Sequence, residues 1–335
     1  MKIVTAIDSF KGSMTSIEAG NAFSDGFHRV FPDARIIVRP LADGGEGTVE
    51  ALTNGMNGHL EHVTVSGPFG QPVDCAYGLI QDSMTAVIEM SGAAGITLVP
   101  AEDLNPLKAT TYGVGEVIAD AIKKGCRHFI IGIGGSATND GGAGMLQALG
   151  FGLLDDDGRE IPRGAEGLEK LAVITTDQVI PELSECTFRI ACDVTNPLCG
   201  SNGCSSVFGP QKGAGPEDIE KMDRCLARYA KVARALHPDA DPEFPGTGAA
   251  GGMGFAFRTF LPAKLESGIQ IVLEETRLES YLKDADLIIT GEGRLDCQTA
   301  MGKVPVGVAN LAKAHGKPVI AFAGSVTDDA SACIE

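Results

Sequence analysis

The chain has 335 residues, 44% of them apolar, with 44 glycines, no tryptophan and a formal net charge of −17 at pH 7. That length exceeds one ordinary core and predicts two α/β domains. The acidic balance excludes a nucleic-acid or anionic-membrane partner, because phosphate backbones need clustered Lys and Arg, yet a nucleotide can still be held by backbone N–H groups, a few lysines and Mg²⁺.

A strand over residues 3–7 opens the chain with no basic leader before it, and runs into Asp8-Ser9-Phe10-Lys11-Gly12. A helix follows, marked by the capping box Thr15-Ser16-Ile17-Glu18 and by Phe23, Phe27, Val30 and Phe31 at helical spacing. A second strand, 35–41, leads into Ala42-Asp43-Gly44-Gly45-Glu46-Gly47-Thr48 and a short helix through Leu52. From 60 to 90 the pattern alternates between turn clusters at 67–72 and 81–83, which is hairpin chemistry.

A helix over 114–123 precedes an apolar strand, 128–133, and then Gly132-Ile133-Gly134-Gly135-Ser136-Ala137-Thr138-Asn139-Asp140-Gly141-Gly142, with a helix over 143–149 beyond. A strand over 188–194 ends near Asp193 and Asn196. The helix that starts at Pro216 has Glu217 and Asp218 in its first turn, and Ile219, Met222, Leu226 and Tyr229 on one face. A β–α rhythm returns with a buried strand, 285–290, ending in the loop Gly291-Glu292-Gly293-Arg294-Leu295-Asp296. A helix over 304–313 and a strand over 318–323 close the pattern. No apolar run reaches membrane-spanning length. The nine cysteines are odd in number and scattered, and Cys186, Cys192, Cys199 and Cys204 lack C-x-x-C spacing, which predicts reduced cytoplasmic thiols in place of zinc.

This rhythm predicts one doubly wound sheet built from residues 1–59 and 268–335, with a second α/β domain, 60–267, inserted between them. A ligand site is expected in the interdomain cleft. The glycine-rich stretch at 132–142 sits where a strand hands over to a helix. Glycines let N–H groups approach an anion, and a helix N-terminus adds partial positive charge. It lacks the closing Gly-Lys-Ser/Thr of a P-loop and the register of a dinucleotide fingerprint. A turn needed only for close packing would look similar.

The same grammar, an apolar strand followed by Asp or Glu with Gly, Ser or Lys, recurs at Asp8/Lys11, Asp43/Glu46, Asn139/Asp140, Asp193/Asn196 and Glu292/Asp296. Such carboxylates suit Mg²⁺ or a general base, and Lys11, Lys212, Arg294 and Lys303 are the loop-borne cations. Each has a plainer reading. Asp8 could cap its turn, Asp43 and Glu46 could start a helix, and Gly246-Thr247-Gly248-Ala249-Ala250-Gly251-Gly252-Met253-Gly254 could be tight packing.

Taken in order, these segments resemble the bacterial type-1 glycerate kinase family. The resemblance also takes in Ala191-Cys192-Asp193-Val194-Thr195-Asn196-Pro197-Leu198, Phe208-Gly209-Pro210-Gln211-Lys212-Gly213 and Gly302-Lys303-Val304-Pro305. It implies a flavodoxin-like domain with a second α/β domain inserted. It also implies ATP- and Mg²⁺-dependent phosphorylation of D-glycerate, most often at the 2-hydroxyl, with 3-kinase chemistry as the alternative. Under that resemblance Asp193 is expected to take the hydroxyl proton, Lys11 or Lys212 to stabilise transferred charge, and Arg294 to hold the substrate carboxylate. Asp8, Ser9 and Asn196 are expected at the substrate, Gly134, Gly135, Ser136, Thr138, Asn139 and Asp140 at the nucleotide, and Asp43, Glu46 and Asp296 at the metal. The partners are glycerate and a nucleotide, with a homo-oligomer possible. Family members usually continue beyond the 324–325 strand, so a sheet edge with exposed apolar surface is expected there. A nicotinamide-dependent dehydrogenase and a non-catalytic organic-acid sensor are the readings from other classes.

Overall fold

Strands covered by helices on both faces read as unbroken apolar runs. β1 (Lys2–Ile7) is of this kind, buried from Ile3 to Ile7. In the computed structural model, which describes residues 1–300 and 302–333, β1 lies inside a four-stranded sheet. α1 (Ser16–His28) is closed at its start by the expected capping box, Glu18 N–H donating to Thr15 Oγ1 at 3.2 Å and Thr15 N–H to Glu18 Oε2 at 2.8 Å. Phe27 stacks on both Phe23 and Phe31, at 5.6 and 4.8 Å between ring centroids. The helix nevertheless stops at His28, and Val30 and Phe31 are exposed. β2 (Arg35–Val38) ends before Pro40, although the N–H groups of Arg39 and Leu41 still reach the carbonyls of Thr5 and Ile7. α2 (Thr48–Gly55) follows.

β3 (His59–Ser66), β4 (Pro72–Ile80) and β5 (Thr85–Glu89) form the alternating region, and β4 pairs antiparallel with β5 as the hairpin turn at 81–83 requires. Next come α3 (Ser91–Ala94), α4 (Tyr112–Lys123), β6 (His128–Gly132) and α5 (Ala143–Ala148). The small hairpin of β7 (Gly152–Leu154) and β8 (Val173–Thr175) precedes β9 (Thr187–Ala191), α6 (Cys204–Phe208), α7 (Pro216–Leu236), α8 (Ala249–Phe260) and β10 (Ala263–Glu266). The six-stranded sheet runs β10-β9-β6-β5-β4-β3, with β10, β9, β6 and β5 parallel. Its core is aromatic where α7 and α8 pack: Phe129 stacks on Phe188 at 4.7 Å and Tyr229 meets Phe255 edge-on at 5.3 Å. Met222, Leu226 and Tyr229, on the predicted face of α7, are fully buried.

α9 (Gly268–Glu275), α10 (Leu278–Leu282), β11 (Leu287–Leu295), α11 (Cys297–Ala300), α12 (Val304–Ala314) and β12 (Val319–Val326) complete the parallel sheet β12-β11-β1-β2. Here one expectation is corrected. The stretch 291–295 is strand and not loop, because β12 supplies a ladder partner as far as Leu295, whereas β1 pairs with β11 only to Gly291. β12 is an edge strand and leaves Ile320, Phe322 and Val326 exposed. The chain divides into two units, Met1–His59 with Ser267–Glu335, and Leu60–Glu266. No helix among the described residues is long and apolar enough to cross a membrane.

Close helix packing in the second unit depends on Gly115 of α4. A Cβ there would stand 2.4 Å from the Met145 carbonyl and 2.7 Å from Ala148 Cβ on α5. Gly115→Ala gains up to about 1 kcal/mol of helix propensity, but overpacking against rigid backbone costs about 1–3 kcal/mol. The variant is therefore expected to be less stable by roughly 1–2 kcal/mol, read from urea unfolding midpoints.

Candidate active site

Two groups of loops gather at strand C-terminal ends, one in each unit. In the second unit, β6 hands over to the 132–142 stretch, of which Gly134 and Gly135 are exposed and Ser136 to Asp140 are buried. Asp140 is 0% exposed. Its Oδ2 accepts from Thr111 N–H at 2.8 Å, Thr111 Oγ1 at 2.9 Å, Gly144 N–H at 3.2 Å and Thr110 Oγ1 at 3.5 Å, and its Oδ1 accepts from Gly142 N–H at 3.1 Å. The anion at the start of α5 is thus the loop's own carboxylate, and it ties α5 to the start of α4. Burial raises its pKa against the pull of these donors.

Lys212 lies beneath the same loop, 1% exposed, its Nζ donating to Thr138 O at 2.6 Å and Ser136 Oγ at 2.7 Å. Burial pushes this ammonium down to about 8. Asn139 Nδ2 donates to Ser205 Oγ of α6 at 2.8 Å. The side chains of Thr138, Asn139, Asp140 and Lys212 therefore act inside the fold, and the solvent-facing part of the loop is the backbone at Gly134 and Gly135.

The second glycine-rich stretch braces this loop against the one after β9. α8 opens with a left-handed turn at Ala250, Gly251 and Gly252. Gly251 accepts from Gly141 N–H at 2.9 Å, and a Cβ on Gly251 would stand 2.1 Å from Thr138 O. Nearby, Gly248 N–H donates to Asn196 O at 2.9 Å. Asn196 also donates through Nδ2 to Asn202 O at 2.9 Å, and Asp193 is exposed just beyond β9.

In the first unit, Asp8, Ser9, Lys11, Asp43, Glu292, Arg294, Asp296 and Lys303 line one cavity of about 270 Å³. The sheet explains the convergence, since β1 and β11 are parallel neighbours that end on the same side. Asp8 is buried, its Oδ1 accepting from Ser9 N–H at 2.6 Å. Burial and the Asp43 charge push its carboxyl up to about 7, against Ser9 N–H and Lys11. Ser9 Oγ is buried without a hydrogen-bond partner among the described residues. Arg294 is exposed and sits 3.5 Å from Asp296. Glu46 lines a neighbouring cavity of about 400 Å³ with Ser9, Lys11, Glu18 and Glu50, so the three residues expected at a metal are divided between two cavities.

Glu292 of this cavity carried no individual role in the sequence, and its partner Thr299 carried none at all. Glu292 is 6% exposed, its Oε1 accepting from Thr299 Oγ1 at 2.5 Å, while Thr299 Oγ1 also receives Asp296 N–H at 3.2 Å. Burial raises the Glu292 pKa. The acidic residue in Gly291-Glu292-Gly293 was visible. Its link to Thr299 was not, since nothing in the spacing marks Thr299.

The model of the glycerate kinase family matches residues 3–335. This chain belongs to the glycerate kinase family. It is 52% identical over 330 residues to glycerate 2-kinase of Escherichia coli (strain K12), covering 98% of this chain and 86% of that protein. It is 48% identical over 332 residues to glycerate kinase of Bacillus subtilis (strain 168), covering 99% and 87%. A crystal structure from Salmonella typhimurium LT2, designated "putative glycerate kinase 2", superposes with a TM-score of 0.93 at 52% identity, over 98% of this chain and 88% of that one. As a glycerate kinase family member the chain is a phosphotransferase that uses ATP and acts on an alcohol group, with the mixed α/β fold and parallel sheets expected from the sequence.

Lys212 gives this kinase a measurable alkaline signature. Its proton is held up to about 8 in the folded protein and to the ordinary 10.5 in the unfolded chain, so between these values the unfolded state binds more protons. Folded stability attributable to Lys212 therefore rises with pH across that window. Lys212→Met lacks the titration. The stability difference between the two proteins is expected to move in favour of wild type by about 1–2 kcal/mol between pH 7.5 and 9.5, measured by urea unfolding at each pH. A constant difference refutes the assignment.

Proposed function

We propose that this kinase transfers the γ-phosphoryl group of ATP to the 2-hydroxyl of D-glycerate, giving 2-phospho-D-glycerate, in the cytoplasm. The observation that carries the reading is the cavity around Asp8, where cations and carboxylates meet at the ends of parallel strands. Phosphoryl transfer demands little covalent work from a protein and a great deal of positioning and charge stabilisation. Lys11 and Lys303 offset the charge that spreads over the transferred oxygens, and Arg294 holds the substrate carboxylate. The unpartnered Ser9 hydroxyl takes a substrate oxygen. Nine free thiols fit a reducing compartment.

The donor set also fits magnesium, which takes one or two carboxylates and completes its shell with phosphate oxygens and water. Among the described residues no three His, Cys, Asp or Glu side chains are gathered to hold a metal unaided, and Asp43 and Asp296 would hold it together with the nucleotide. When bound, the ion would neutralise charge on the phosphate oxygens. In the second unit, the exposed backbone of Gly134 and Gly135 serves the nucleotide, held in shape from beneath by Lys212 and Asp140.

For the hydroxyl proton, Asp8 is favoured over Asp193, because Asp8 forms the buried wall of the cavity while Asp193 is exposed in the other unit. Purified protein with ATP, Mg²⁺ and D-glycerate is expected to release ADP, and ³¹P and ¹H NMR of the product should place phosphate on carbon 2. A 3-phosphoglycerate product overturns the regiochemistry. Asp8→Asn is expected to lower kcat by about 10²–10⁴, and Lys11→Met by about 10²–10³. Should Asp193→Asn, and not Asp8→Asn, remove turnover in a folded protein, the proton passes to Asp193.

A further inference from the structure

α7 carries Lys221, Arg224, Arg228 and Lys231 at intervals of three, four and three residues, which places them along one side of the helix. Together with Glu169, Cys225 and Ala227 they line a cavity of about 500 Å³ that shares no residue with the cavity around Asp8. Four cations thus face one carboxylate, in a chain where Asp and Glu outnumber Lys and Arg by 44 to 27.

Ordinary helix electrostatics do not account for the arrangement. Cations near a helix C-terminus are favoured by the macrodipole, but that effect fades within the last turn. Only Arg234 occupies the last turn of α7. Opposite charges are also few. Lys221 lies 3.3 Å from Glu169, and Arg224 lies 3.8 Å from Glu220 on the flank; both pairs are well exposed, a setting in which ion pairs contribute little. Among the described residues Arg228 and Lys231 have no carboxylate partner. Arg224 and Arg228 stand four residues apart, a like-charge spacing that destabilises a helix unless something intervenes.

The groove is also partly organised in advance. Arg228 Nε donates to the Leu171 carbonyl at 2.6 Å, which fixes the guanidinium against the wall. At the buried Cys225 thiol the Glu169 carboxylate is the strongest charge, and Lys221, Arg224 and Arg228 all oppose it, so the three cations converge on one place beside a single anion.

We propose that this groove is an anion site for a small, multiply charged phosphate compound, a polyphosphate or a phosphorylated organic acid. Two guanidinium forks match phosphate oxygens in pairs, and the lysines at either end supply point charges for the rest. The cavity is large enough for such an ion and too small for a folded partner.

The test uses the whole chain and pyrophosphate as the probe, followed by isothermal titration calorimetry without Mg²⁺ at fixed ionic strength. Wild type is expected to show a binding class that weakens at least tenfold in Arg224→Gln/Lys231→Gln, with kcat for glycerate unchanged. That pair leaves the Arg228 tie to Leu171 intact. Ala227→Glu, which puts a carboxylate into the groove, should remove the class altogether. Arg228→Lys keeps the charge but loses the fork, and should weaken binding severalfold. Pyrophosphate binding equal to wild type in both the double variant and Ala227→Glu, with unchanged circular dichroism, overturns the proposal.

Discussion

A charge removed from water must be met by fixed dipoles or opposite charge, or its ionised form becomes prohibitively expensive. The second unit holds two such groups back to back under one loop, the Asp140 carboxylate and the Lys212 ammonium. Asp140 gathers N–H and hydroxyl donors from the starts of α4 and α5, and Lys212 gathers oxygens from the loop itself. Between them they fix the backbone from 136 to 144, and the glycines at 134 and 135 are what remains facing solvent. The left-handed turn that opens α8 extends the same constraint to the segment after β9.

The first unit solves the opposite problem. Its carboxylates are brought together by the sheet itself, because parallel strands deliver their following residues to one edge. Asp8, Asp43, Glu292 and Asp296 repel one another there, and the rise in the Asp8 and Glu292 pKa values records burial first and that repulsion second. Lys11 and Lys303 offset part of it. Such an edge is less stable than one free of charge, because like charges brought together out of water disfavour the ionised forms.

Much of this was legible in the sequence, for physical reasons that differ from element to element. The Thr15–Glu18 box, the turn before β5 and the apolar face of α7 are local signals, and local signals survive folding. The acidic loops were legible because glycine beside a carboxylate after an apolar run has few other uses. What could not be read was direction and partner. Asp140 looked like a ligand for something external, and its side chain turns inward because donors from Thr110 and Thr111, some thirty positions earlier, await it. Asp43 and Glu46 are three residues apart and look alike, yet the chain between them turns so that they face different cavities. The strand character of 291–295 depends on β12, which the local pattern of glycines concealed.

The pairing of β1 with β11 also sets a schedule. Ile3 finds its partner Leu287 only after 284 further residues have been made, and ribosomes add roughly 5–20 residues per second. The most fully buried strand of the first unit therefore waits roughly 15–60 s beside β2 alone, while the whole second unit emerges and has time to fold. A nascent chain of this kind exposes an incomplete parallel sheet for far longer than a domain takes to fold, and capture of that edge by a chaperone, or by another nascent chain, competes with its completion.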